Sequence, residues 1–147
     1  MIRVIRRYQF SAAHVLARSD WSDARNRAVY GKCANPSGHG HNYRIELSLE
    51  GLLDFGSAVD AIVARRVLAD LDARFLNREV AAFARVVPTA ENIARHIWDT
   101  LSEALAPARL AGVRLVETSN NSVEYFGSEP HHEQDRGSGR AAAARDR

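Results

Sequence analysis

The sequence predicts an α+β domain with the element order β-β-α-α-β-β. Three observations carry this. From His39 onward the residues alternate strictly, the period of a half-buried strand: His41, Tyr43, Ile45, Leu47 and Leu49 fall on one face, and Asn42, Arg44, Glu46, Ser48 and Glu50 on the other. Two later stretches space their apolar residues at three and four, the period of a helix. The last apolar stretch divides into two short runs about a turn at Asn120-Asn121. At 147 residues the chain is one domain, long enough to bury a real core.

In chain order, the first strand covers residues 2–10 or a little more. A long polar loop follows, from about Arg18 to Gly38, containing Pro36. The second strand occupies residues 39–51. A helix starts at Ser57, with Asp60 three residues on as a capping signal, and buries Val59, Ile62, Val63, Val67 and Leu71. Pro88-Thr89 opens the second helix, where Ile93, Ile97, Trp98, Leu101 and Leu105 recur at helical spacing until Pro107 stops it. Strands at 112–118 and 122–126 close the folded part, residues 1–127. From Ser128 the chain is polar, with glycine and arginine, and is expected to be a disordered tail; His131-His132 belongs to it.

Composition narrows the function classes. The net charge is +2 and the pI about 9.0, with Lys32 the sole lysine. No arginine-rich helix or aromatic-studded basic strand appears, so nucleic acid is not expected as a partner. A modest positive field suits a phosphorylated small molecule. The single cysteine excludes a disulfide scaffold and suits a reducing, cytoplasmic setting. No run is long enough to span a membrane, and the first residues lead into a strand rather than a signal peptide.

The chemistry concentrates in Cys33-Ala-Asn-Pro-Ser-Gly-His39-Gly-His41-Asn-Tyr, with His14 upstream in Phe10-Ser-Ala-Ala-His14. His39 and His41 share the parity of the apolar face, so both imidazoles project the same way and can meet one metal ion. Three neutral imidazoles with a nearby thiol are what an open zinc site with a neighbouring base requires. A closed Cys-His₃ structural site is the alternative on the same residues, and Cys33 is equally a candidate nucleophile or base. A His-x-His-plus-glutamate iron or manganese site fits less well, because Glu46 has the opposite parity. Glu117 lies on the face of Val113 and Leu115, where a carboxylate is costly unless paired. It is either a frayed strand end or an anchor for a ligand presenting two N–H donors side by side.

These pieces, together with Leu71-Asp72-Ala-Arg-Phe-Leu-Asn77, Pro88-Thr-Ala-Glu-Asn-Ile93 and Val116-Glu117-Thr118, resemble the 6-pyruvoyl-tetrahydropterin synthase/6-carboxytetrahydropterin synthase family over about residues 1–127. The resemblance implies the tunnelling fold: an antiparallel four-stranded sheet with two helices on one face, assembled as a homo-hexamer of two trimers. It implies Zn²⁺ held by His14, His39 and His41, Cys33 as the proton-abstracting thiolate, and Glu117 holding the pterin ring. The implied activity is that of a lyase acting on 7,8-dihydroneopterin triphosphate with loss of triphosphate, either a carbon–oxygen lyase giving a pyruvoyl product or a carbon–carbon lyase giving a carboxy product, in a tetrahydrobiopterin-like or queuosine-like pathway. Asp72 occupies a catalytic position of the family, but Ala73 stands where the family has the relay histidine. That replacement leaves two further readings open, a diverged dihydropterin side-chain-cleaving enzyme and a weakly catalytic pterin-binding protein. Five residues separate Cys33 from His39, as in the pyruvoyl-forming type.

Overall fold

The structure is a computed structural model that describes residues 2–51 and 56–127. β1 (Arg3–His14) and β2 (His39–Glu50) each alternate exposed and more buried positions, so each offers one face to a core, and they pair antiparallel along their whole length. β4 (Arg109–Thr118) adds to the far side of β2 and β5 (Asn121–Tyr125) to β4, both antiparallel. A two-residue strand, β3 (Arg74–Phe75), runs parallel along the other edge of β1, giving the order β3-β1-β2-β4-β5.

The inner face carries Phe10, Tyr43, Ile45, Leu47, Val113 and Leu115, all buried. Onto it pack α2 (Gly56–Val63), which runs on through a π-helical turn (Ala64–Leu68) into α3 (Ala69–Leu71), and α5 (Ala90–Leu101). The α5 stripe of Ile93, Ala94, Ile97 and Leu101 is fully buried. Burying each large aliphatic side chain contributes about 1.5–3 kcal/mol, so this face holds the domain together. Among the described residues no helix is long and apolar enough to cross a membrane.

Several expectations change. β1 continues to His14, and a fifth strand adds to the expected four. The supposed long loop contains α1 (Asp23–Tyr30), capped by Ser22, whose hydroxyl accepts from Arg25 N. α2 includes Gly56, so Ser57 lies inside it; Asp60 accepts from Tyr8 Oη at 2.7 Å and pairs with Arg6, tying the helix to β1 instead of capping it. α5 starts as expected, with Thr89 as its cap, but gives way to turns after Leu101, well before Pro107. A short α4 (Leu76–Glu79) follows β3. The expected tail, with His131-His132, lies outside the described residues.

Candidate metal centre and active site

The pairing of β1 with β2 sets His14 directly opposite His39, and Ala12 opposite His41. Alternation then puts all three imidazoles on the inner face. The chain enters β2 through Gly38, whose φ of +76° is strained for any side chain, and a Cβ there would press on the Phe75 ring at 2.7 Å. The three ring nitrogens lie within 4.8 Å of one another, and among the described residues these imidazoles alone form such a group. His14 Nε2 and His39 Nε2 are 3.0 Å apart.

His14 is completely buried. Its Nδ1 lies 2.8 Å from the Pro88 carbonyl oxygen, which can only accept, so Nδ1 carries the proton and the Nε2 lone pair faces the other two rings. Burial, reinforced by His39 and His41, lowers the pKa of His14; burial and then His41 lower that of His39. Neutral imidazoles are the metal-binding form. Nitrogen ligands about 2.0–2.1 Å from a tetrahedral zinc stand about 3.3 Å apart, so the observed spacing fits such an ion after small side-chain adjustments.

Glu117 faces the same centre. A bulge in the β4–β5 pairing between Val116 and Thr118 places it at the end of the inner face, where bulges commonly re-aim a side chain. Its Oε1 is 3.8 Å from His14 Nε2 and 3.7 Å from His41 Nε2, and its Oε2 accepts from Asn121 Nδ2 at 2.7 Å. It is therefore neither a frayed end nor a carboxylate without partners. Tyr43 is fully buried, with its hydroxyl 3.3 Å from His14 Nδ1. Burial first, and Glu117 second, hold the phenol proton on Tyr43 and raise its pKa.

Cys33 sits half-buried in a 3₁₀ turn (Gly31–Ala34). Its carbonyl accepts from Leu16 N at 2.9 Å, which ties this turn to the chain just beyond His14. The thiol is not part of the group formed by the three ring nitrogens, so the geometry does not build the closed Cys-His₃ alternative. Glu46 pairs with Arg7 and Arg114 on the outer face, away from the imidazoles, as its parity requires.

Asp72 is not brought into this group either. It is exposed, and its Oδ1 accepts from Ser11 N at 2.8 Å while Ala73 N donates to Ser11 O at 2.7 Å. In this chain the carboxylate fastens the 72–77 segment to the edge of β1. Ala73, where the resemblance leads one to expect a histidine, is exposed with φ +58°. Asn77 makes a second clamp, accepting from Val15 N at 2.8 Å and donating to Val15 O at 2.9 Å, which fixes the backbone next to His14. Sequence reasoning missed the roles of Asn77, Pro88 and Tyr43. Only Tyr43 carried a signal, its parity with His41.

The comparisons agree with the geometry. The family model for 6-pyruvoyl tetrahydropterin synthase matches residues 3–128. The 6-pyruvoyl tetrahydrobiopterin synthase of Homo sapiens is 39% identical over 132 residues, covering 85% of this chain and 91% of that protein. The dihydroneopterin monophosphate aldolase of Pyrococcus furiosus is 28% identical over 127 residues, covering 83% of this chain and 95% of that protein. The solved 6-pyruvoyl tetrahydropterin synthase of Caenorhabditis elegans superimposes with a TM-score of 0.80 at 34% identity, over 86% of this chain and 96% of that one. With its T-fold and its sequence matched over nearly all the described residues, the chain belongs to the 6-pyruvoyl tetrahydropterin synthase family.

Proposed function

We propose that the chain is a zinc-dependent lyase acting on 7,8-dihydroneopterin triphosphate with elimination of triphosphate. The observation that carries this reading is the convergence of three imidazole nitrogens within 4.8 Å beside the Glu117 carboxylate. His14, His39 and His41 would hold zinc, which when bound supplies Lewis acidity toward the substrate's side-chain hydroxyls and the charge that develops on deprotonation. The Cys33 thiolate takes a proton from the carbon adjacent to the one bearing the triphosphate. The electron pair left behind forms a carbon–carbon double bond as the carbon–oxygen bond to triphosphate breaks. An internal redox shift of the side chain then gives a pyruvoyl product, the branch that the Cys33-to-His39 spacing favours. Glu117, the expected pterin anchor, accepts hydrogen bonds from substrate donors lying over the centre. Asp72, committed to Ser11 N, positions β1 in this reading.

A second reading, retro-aldol cleavage of a dihydropterin side chain, draws on Ala73 and on the similarity to the Pyrococcus furiosus aldolase. Mass spectrometry of the products formed by zinc-loaded protein from 7,8-dihydroneopterin triphosphate separates the two. Free triphosphate with a pyruvoyl pterin supports the synthase. A 6-hydroxymethyl pterin with a phosphorylated aldehyde supports the cleavage reading. Zinc-loaded protein that yields no altered pterin overturns both, and turnover only in Ala73→His would assign the loss to the missing relay. The homo-hexamer is checked by sedimentation.

A further inference from the structure

We infer that Tyr43 is a positioning residue whose buried hydroxyl, set against the Nδ1 edge of His14, helps hold that imidazole toward its partner rings, so that metal affinity depends on this phenol oxygen. The inference rests only on the metal-binding part of the proposed function, not on the reaction. The His14 Nδ1–H has two acceptors, the Pro88 carbonyl at 2.8 Å and the Tyr43 oxygen at 3.3 Å. Because Nδ1 is the donor there, the Tyr43 oxygen accepts and its own proton must point elsewhere. The ring is fully buried, and the Glu117 carboxylate faces the same imidazoles. Asn121 takes Oε2 of that carboxylate, leaving Oε1 on the side of the imidazoles.

The ring cannot swing to choose other partners. It stacks on Phe10 with centroids 4.8 Å apart and planes 12° apart, and the edges of His41 and His14 close on it at 5.5 and 6.2 Å. The hydroxyl thus adds to the Pro88 carbonyl in holding His14 Nε2 toward His39 and His41. Outer-shell partners of this kind commonly change metal affinity by about 10–100-fold when removed.

The test is Tyr43→Phe, which removes the oxygen and keeps the ring. Zinc affinity is read by chelator competition, and ligand geometry by the visible spectrum of the cobalt(II)-substituted protein. We expect affinity about tenfold weaker or worse, an altered cobalt spectrum and an unchanged far-ultraviolet circular dichroism spectrum. Wild-type affinity with an unchanged cobalt spectrum would reduce Tyr43 to a core filler and overturn the inference. An independent measurement uses the unmodified zinc-loaded protein. The His14 Nδ1–H should give a solvent-protected downfield proton resonance with a cross-peak to the Tyr43 hydroxyl proton, and absence of that cross-peak also overturns it. Unmodified protein that binds no zinc removes the metal centre itself, a different failure from equal binding by both proteins.

Discussion

The two faces of the β1–β2 pair use the same backbone ladder for opposite ends. On the outer face Arg3 meets Glu50 at 2.5 Å and Arg7 meets Glu46 at 3.1 Å, while Arg114 and Arg109 reach the same two carboxylates from β4. Each carboxylate there meets two arginines that are mostly open to water, so each pair adds little. On the inner face three imidazoles converge, one of them completely buried, and burial lowers the pKa of His14 and His39. Polar groups repeat on both faces of the strands, but only on the face backed by a hydrophobic core do they gather around one point. The difference lies in desolvation, which makes lone pairs available to an ion and makes every polar partner matter.

The strongest way to break this contrast is His39→Ala. Loss of a ligand should weaken zinc binding by well over 100-fold, read by chelator competition, and abolish turnover. Retention of stoichiometric tight zinc would move the site elsewhere. Cys33→Ala sharpens the same comparison from within the site. Turnover should fall by about 10²–10⁴-fold with zinc content unchanged, whereas loss of zinc as well would restore the closed Cys-His₃ reading.

Neighbouring residues on opposite faces offer a milder test by denaturant unfolding. Leu47→Ala removes a completely buried side chain and should cost about 2–5 kcal/mol. Glu46→Gln, one residue away on the outer face, should cost less than about 1 kcal/mol. Comparable costs would mean that the outer ladder carries the fold.

The smallest effect is in pH. His14 and His39 have folded-state pKa values below the ordinary 6.5, so the unfolded chain takes up their protons first as the medium is acidified. The metal-free protein should therefore be fully stable above pH 6.5 in this respect and lose stability as pH falls below it. Glu46 is held below its ordinary 4.5, first by its hydrogen bond from Arg7, so its contribution stays intact above pH 4.5 and is lost below. Unfolding midpoints measured between pH 7 and 3 should fall in two stages, the first absent in a protein with both histidines replaced. A single stage below pH 4.5 would contradict the assignment of burial to the imidazoles.

Much of the arrangement was legible in the chain because it depends on local periodicity. Strict alternation after His39 defines β2 and puts His39 and His41 on its core face. Thr89 and the Ile93-Ile97-Leu101 repeat define α5. The α1 helix was not legible: its residues 23–30 form no apolar stripe, and only Asn26 is buried. It is held instead by Ser22 and by Asn26, whose side chain exchanges hydrogen bonds with the backbone of Arg18. Nor could periodicity give β3, a two-residue strand that exists because Asp72 and Ala73 fasten to Ser11.

By itself the sequence determined which side chains are candidates for holding a metal and for reacting, and the face that His39 and His41 take, since parity follows from a two-residue repeat. Tertiary structure alone decided that His14 lies opposite His39, that the Pro88 carbonyl, 74 residues away, fixes which nitrogen of His14 is free, and that a bulge turns Glu117 onto the imidazoles. These are matters of strand register and of backbone carbonyls. No side-chain pattern encodes a carbonyl's position, because every residue has one and only the packed chain aims it.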